Sequence, residues 1–243
     1  MDGEARGAAG APAAAAQPGA ARVLAVCDEV VDQLYGPAIR ERHGEYDFVL
    51  SCGDLPAYYL DFVASMLDIP VYGIHGNHDG DPHDPSSDRE RATGGVVQLH
   101  GRVVRDHGLL IGGFDGCLRY NGGAYQFSET EMRLHIARMI PALLLNKLLY
   151  GRYLDVLITH APPFGIHDLP DRAHQGFKVF RWFLQTFTPR YQLHGHIHQY
   201  NRQAVTRTRF HETEVINVFP YRALTIPAGA PRPPARPAPP GTA

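Results

Sequence analysis

Short runs of consecutive apolar residues alternate along this chain with stretches whose apolar positions recur every three or four residues. Arg22 to Val26 reads as a strand and ends at Asp28. A helix-like stretch follows, with Val31, Leu34 and Ile39 apolar and Gly36-Pro37 interrupting it. Tyr46 to Cys52 is a second buried strand, closed by Gly53-Asp54. Tyr58 to Leu67 is a helix with Leu60, Val63, Ala64 and Leu67 on one face. Ile69 to Ile74 is a third strand, and Gly76-Asn77-His78-Asp79 follows it. Strand, helix, strand, helix, strand with carboxylates at the strand ends is the pattern of an α/β sheet. Such sheets carry their ligands beyond the carboxyl ends of the strands, which is where Asp28, Asp54 and Asn77 fall.

The second half is less regular. Residues 80 to 92, with His83 and the cluster Asp88-Arg89-Glu90-Arg91, read as a solvated loop. Val96 to Leu99, Val103-Val104 and Leu109 to Ile111 predict short antiparallel strands leading into Gly112-Gly113-Phe114-Asp115-Gly116. The loop from Arg119 to Gln126 has the composition of a segment reaching over a ligand, one that surface loops share. Arg119 and Asn121 are its candidate substrate contacts. Ser128 with Glu131 three residues on forms a capping box and opens a helix to about Tyr150. Its many leucines read as core, and Pro141 is expected to kink or divide it. Val156 to Thr159 is a fourth buried strand, ending in His160. Ala173 to Phe187 reads as a core helix through Phe177, Phe180, Phe183 and Leu184, with Trp182 nearby. Tyr191 to His194 leads into Gly195-His196-Ile197-His198. Gln203 to Arg209 and Glu214 to Val218 read as a closing hairpin, followed by Phe219-Pro220-Tyr221.

Composition narrows the partners. Of 243 residues, 1–21 and 228–243 are dominated by Ala, Gly and Pro without periodic apolar faces, so both read as disordered tails around one domain, 22–227. The acidic, weakly apolar start does not read as a secretory signal, and no run is apolar enough to span a bilayer, so no membrane partner is expected. Cys27, Cys52 and Cys117 are odd in number and lack paired spacing, which points to buried thiols in a reducing, cytoplasmic setting. A net charge of −2 offers no footprint for duplex nucleic acid. The fourteen histidines are the one compositional oddity.

The Gly76–Asp79 stretch offers an amide oxygen for a hard cation, an imidazole for a proton or an anion, and a carboxylate able to fix an imidazole's tautomer. Taken alone, it reads rather as an ordinary exit from a strand, which Asn, Asp and Gly favour. The full set of strand-end residues is more specific: Asp28, Gly53-Asp54, Gly76-Asn77-His78-Asp79, His160 and Gly195-His196-Ile197-His198. In order and spacing this set resembles the calcineurin-like metallophosphoesterase superfamily, with D-x-H, G-D, G-N-H-D/E, H and G-H-x-H blocks, over roughly residues 22–227.

The resemblance implies an α/β/β/α sandwich, two mixed sheets flanked by helices. It implies a small phosphate-ester substrate, cleaved by a metal-bound hydroxide attacking phosphorus. Carboxylates, an amide and imidazoles together suit two divalent ions such as Mn, Fe or Zn, which in two-metal phosphoesterases sit ~3.5–4 Å apart. By similarity Asp54 bridges the ions, Asn77, His160 and His196 hold the second, and Asp28 and His198 the first. His78 meets the phosphate and protonates the leaving oxygen, and Asp79 holds its ring. His75 and His194 have no place in the blocks and read as structural or supporting.

One position departs from the pattern. The D-x-H block reads Asp28-Glu29-Val30, and valine cannot bind a metal. The first site is therefore weakened, with Glu29, Asp32 or water left as alternatives to complete it and the second ion alone firmly held. Gly53-Asp54 lacks the following D-R-G element usual in protein serine/threonine phosphatases, and the G-N-H block ends in Asp. Both favour a phosphodiester or small nucleotide over a phosphoprotein. The alternative from a different class is a non-catalytic scaffold or ligand-binding protein with a decayed site.

Overall fold

The computed structural model describes residues 19–79, 95–201 and 203–229. The charged loop with His83, and all but the innermost residues of both expected tails, lie outside these. In chain order the elements are β1 (Ala20–Val26), a 3-10 turn (Asp32–Leu34), α1 (Ile39–His43), β2 (Phe48–Ser51), α2 (Ala57–Leu67), β3 (Val71–Gly73) and β4 (Val96–Gln98). They continue with β5 (Val103–Asp106), β6 (Leu109–Phe114), β7 (Cys117–Leu118), β8 (Gln126–Phe127), α3 (Glu129–Tyr150), β9 (Val156–Thr159) and α4 (Lys178–Phe187). The last are β10 (Tyr191–His194), β11 (Arg207–Phe210), β12 (Thr213–Asn217) and β13 (Tyr221–Pro227).

Two mixed sheets stack face to face. The first has the order β13-β1-β2-β3-β4 and the second β11-β12-β10-β9-β6-β5, with β7 and β8 as a separate ribbon. Strand alternation explains the layering. Along β1, Val23 and Ala25 point into the core between the sheets, while Leu24 and Val26 join Tyr59, Leu60 and Val63 of α2 on the outer face. Along β9, Val156 and Ile158 point into that same inner core and Leu157 meets Met139 of α3 and Phe183 of α4 outside. The result is the expected α/β/β/α sandwich. Register then aligns the strand ends. Val26 pairs with Ser51 and Ser51 with Gly73 in the first sheet, and Thr159 pairs with His194 in the second. The loops that carry Asp28, Asp54, Asn77, His160 and His196 therefore leave from aligned strand ends.

The structure corrects several expectations. β4 is not part of an antiparallel set: it adds parallel to β3 in the first sheet, and only β5 and β6 form the antiparallel pair. β13 closes the first sheet against β1, although Arg222 and Thr225 leave it no continuous apolar run to read; its sequence signal is weak because all of it but Ile226 is partly or fully exposed. β1 begins at Ala20, inside the stretch assigned to the tail, because its backbone pairs with Pro227. The capping box of α3 is present in both directions and the helix runs unbroken through Pro141. Its leucines are mostly not core. Met132, Ile136, Met139 and Leu143 are buried, whereas Leu134, Leu144, Leu145, Leu148 and Leu149 are exposed. Trp182 is likewise 46% exposed, while Phe177, Phe180, Phe183 and Leu184 are buried as expected. Phe177 caps α4 rather than lying within it.

Candidate metal centre

The loops after β2 and β3 lock each other. Gly53 and Gly76 approach so closely that a Cβ on either would strike the other loop's backbone or the Asp54 carboxylate. Asp54 Oδ1 accepts the backbone N–H of His78 at 2.8 Å. In return Asp79 Oδ2 accepts the N–H of Asp54 at 2.9 Å and of Gly76 at 2.7 Å. Asp79 thus braces the two loops through their backbones; the structure gives it no bond to the His78 ring, the partner expected for it. Asp28, Asp54 and His196 all sit at positive φ, 61°, 56° and 66°. Asp and His tolerate that region better than most residues, and three such positions at one edge are where strain is stored for function.

Four atoms converge at this edge. His160 Nε2 lies 3.1 Å from Asp54 Oδ2, 3.1 Å from Asn77 Oδ1 and 3.2 Å from His196 Nδ1. The other atom of each ring or amide is already committed. His160 Nδ1 faces the Cys52 carbonyl at 2.8 Å and His196 Nε2 the Ala173 carbonyl at 2.7 Å. A carbonyl only accepts, so both imidazoles spend their N–H there and turn a bare nitrogen inward. Asn77 donates its amide N–H to Tyr120 Oη at 3.4 Å, which leaves its oxygen facing His160. Two ring nitrogens, a carboxylate oxygen and an amide oxygen therefore meet with no donor of their own. Such a cluster requires a cation, either a proton or a metal.

The electrostatics agree. Burial opposes a charge on His160, but the Asp54 carboxylate outweighs it and raises the imidazole to about 10. Burial likewise opposes the Asp54 charge, and His160 more than compensates, holding the carboxylate low. Burial and then His160 lower His196 to about 4. Without a metal, one proton on His160 stands where the cation belongs. Among the described residues, Asp54, His160 and His196 form the group whose ligand atoms could share one ion, and the donor set fits a borderline divalent metal.

The remaining candidates are placed as follows. The buried Asp28 carboxylate accepts the His196 N–H at 3.0 Å and lies 3.5 Å from His198 Nε2. His198 is half exposed and stacked on Phe219, with centroids 4.8 Å apart. Asp28 and His198 are thus paired beside the four-atom cluster. Val30 packs against the apolar cluster that holds Leu34 and Tyr59. His78 is exposed at the rim. Arg119 donates to both carboxylate oxygens of Glu131 at 2.8 Å, which ties it to the first turn of α3, and Asn121 Oδ1 accepts from Gln126 at 2.7 Å within the loop itself. The residue of that loop touching the cluster is Tyr120, which the sequence reading passed over. It also missed Asp115, whose carboxylate accepts the His75 N–H at 2.9 Å and faces its ring at 3.2 Å. The segment Gly112–Gly116 was the signal available for it. Ala173 offers only a carbonyl, which no sequence pattern marks. His194 is buried, with a ring nitrogen 2.9 Å from one of His167.

Comparison with known proteins accords with this geometry. No curated protein matches the chain in sequence. Two solved structures share the fold. One is 15% identical with a TM-score of 0.57, over 86% of this chain and all of that one. The other, TT1561 of Thermus thermophilus, is 14% identical with a TM-score of 0.54, over 82% of this chain and 88% of that one. The family model for calcineurin-like phosphoesterases matches residues 21–200, the span that contains every residue of the cluster. The chain belongs to the calcineurin-like phosphoesterase family, metal-dependent hydrolases of phosphoric esters.

Proposed function

We propose that this protein hydrolyses a phosphodiester or small nucleotide-type phosphate ester, using a divalent cation held by Asp54, Asn77, His160 and His196. The observation that carries this reading is the convergence of four acceptor atoms on one point with no donor among them. A divalent cation in such a place supplies Lewis acidity toward a phosphoryl oxygen and lowers the pKa of water. The chain's own residues do the rest. Cys52 and Ala173 carbonyls fix the two imidazole tautomers, Tyr120 fixes the Asn77 amide, and Asp79 fixes the loops from which Asp54 and Asn77 project. His78, anchored through its backbone to Asp54 and open to solvent, is positioned to meet the ester and give a proton to its leaving oxygen.

A second cation would be held more weakly, by Asp28 and His198 beside Asp54. Val30 contributes nothing there, being packed into the apolar cluster. A small ester is favoured over a phosphoprotein because Gly53-Asp54 continues as Leu55-Pro56 rather than as D-R-G. Duplex nucleic acid is not expected as a substrate at a net charge of −2. Three buried free cysteines accord with a reducing cytoplasm.

Metal analysis of purified protein, with turnover on a panel of phosphodiesters and phosphomonoesters, tests the reading. Metal content and diester hydrolysis should fall together in Asp54→Ala. Metal binding without turnover on any ester would instead favour the scaffold alternative, and wild-type metal and turnover in Asp54→Ala would refute the cluster.

A further inference from the structure

The outer face of α3 does not belong to the site, and among the described residues it gathers five exposed leucines on one helix. Leu134, Leu144, Leu145, Leu148 and Leu149 are each more than half exposed, Leu148 at 81%. They lie on the side of the helix opposite Met132, Ile136, Met139 and Leu143, which are buried. A helix apolar on both faces is one covered on both faces. The five side chains leave on the order of 500 Å² of apolar surface in water, at the upper end of the largest patch on an ordinary monomer.

The spacing says what covers it. Leu134, Ala137, Pro141, Leu144 and Leu148 follow one another at intervals of three, four, three and four, the seam of a helix that packs along another helix. The seam runs ~21 Å at 1.5 Å per residue. Next to it, a groove of about 440 Å³ between α3 and α4 is walled by Arg133, Ile136, Ala137, Ile140, Val179 and Trp182. Seam and groove together reach the lower end of the ~600–1,000 Å² per partner that specific interfaces bury.

We propose that α3 is the interface of a homodimer, with two copies of the helix packed antiparallel across a twofold axis at Pro141. The seam is close to symmetric about that residue. The axis sets Leu134 of one copy against Leu148 of the other, and the small Ala137 against the large Leu145. Parallel packing would set Arg133, Arg138 and Lys147 each beside its own copy, and like charges repel. A twofold, self-complementary contact is also the commonest form of assembly. The groove beside the seam receives the leucines at the far end of the partner helix.

Sedimentation velocity on the full chain tests this, with dissociation read across concentration because the state obeys mass action. Wild type should be a dimer, and Leu148→Glu and Leu134→Arg should each raise the dissociation constant by about 100-fold or more, as buried hot spots do. Both positions are exposed, so the melting temperature of each diluted, monomeric variant should match that of diluted wild type. The double variant Leu134→Arg with Leu148→Glu should regain the dimer, because the axis brings the new charges together in opposite pairs. A monomeric wild type overturns the proposal. So does a dimer that both single variants preserve. Failure of the double variant to reassociate overturns the antiparallel arrangement. A monomer that binds phosphatidylcholine–phosphatidylserine vesicles, and loses that binding in Leu148→Glu, would assign the face to a membrane instead.

Discussion

Metal uptake at the four-atom cluster should expel one proton, and its pH dependence should reveal which one. In the metal-free protein His160 is raised to about 10 by the Asp54 carboxylate despite full burial. A metal needs the bare Nε2 that this proton occupies. At pH 7, displacing it costs on the order of 4 kcal/mol, from about 1.4 kcal/mol per pH unit over the gap to the folded pKa. Apparent affinity for Mn or Zn should therefore rise about tenfold per pH unit from pH 7 to 9 and level off near 10. Calorimetric titration in two buffers of different ionisation enthalpy should give close to one proton released per ion at pH 7.5. The stability of the metal-free protein should move the opposite way. His160 is raised above its usual 6.5, so its contribution is fully present below 6.5 and is lost as pH climbs toward 10. Asp54 is lowered from 3.8 to about 2, so its contribution is present above 3.8 and is lost as pH falls through 2. In metal-free Asp54→Asn the His160 ring, followed by NMR, should titrate well below its wild-type value, because the largest influence opposing burial is gone and only Asp28 and the Cys52 carbonyl still favour the charge. Affinity independent of pH between 7 and 9, with no proton released, would refute the reasoning: His160 would not be the protonated member of the cluster.

Asp79→Ala leaves the N–H groups of Asp54 and Gly76 without an acceptor. At about 1–3 kcal/mol for each orphaned donor it should lower the melting temperature by several degrees, and metal affinity should fall with it although no ligand is removed. Because Val30 packs into the apolar cluster, Val30→His should lower the melting temperature without adding a bound ion; a rise toward two ions per chain would show that this side chain can reach the first site. His78→Ala should spare metal binding, since the bond that ties His78 to Asp54 is made by its backbone. It should lower turnover by ~10²–10⁴-fold, less for substrates whose leaving groups need no proton. Equal losses for good and poor leaving groups would argue against protonation.

The strand-and-loop order was legible in the chain because runs of consecutive apolar residues, helical spacing and polar strand ends are local patterns. β2, α2, β3, β9 and β10 were all read within a few residues, and so were the residues of the cluster: a preceding glycine marks Asp54, Asn77 and His196, and the end of a buried apolar run marks His160. What the sequence could not express was what each of these residues does. Asp79 turns to two backbone N–H groups because Gly53 and Gly76 let two loops touch, a contact between segments 23 residues apart. The inward nitrogens of His160 and His196 depend on the carbonyls of Cys52 and Ala173, and a carbonyl belongs to every residue alike. The leucines of α3 show the same limit from the other side. Hydrophobicity alone says that a residue is better covered than exposed. Only the stacking of α3 on the second sheet decides which of its leucines the domain itself can cover, and which are left for another surface.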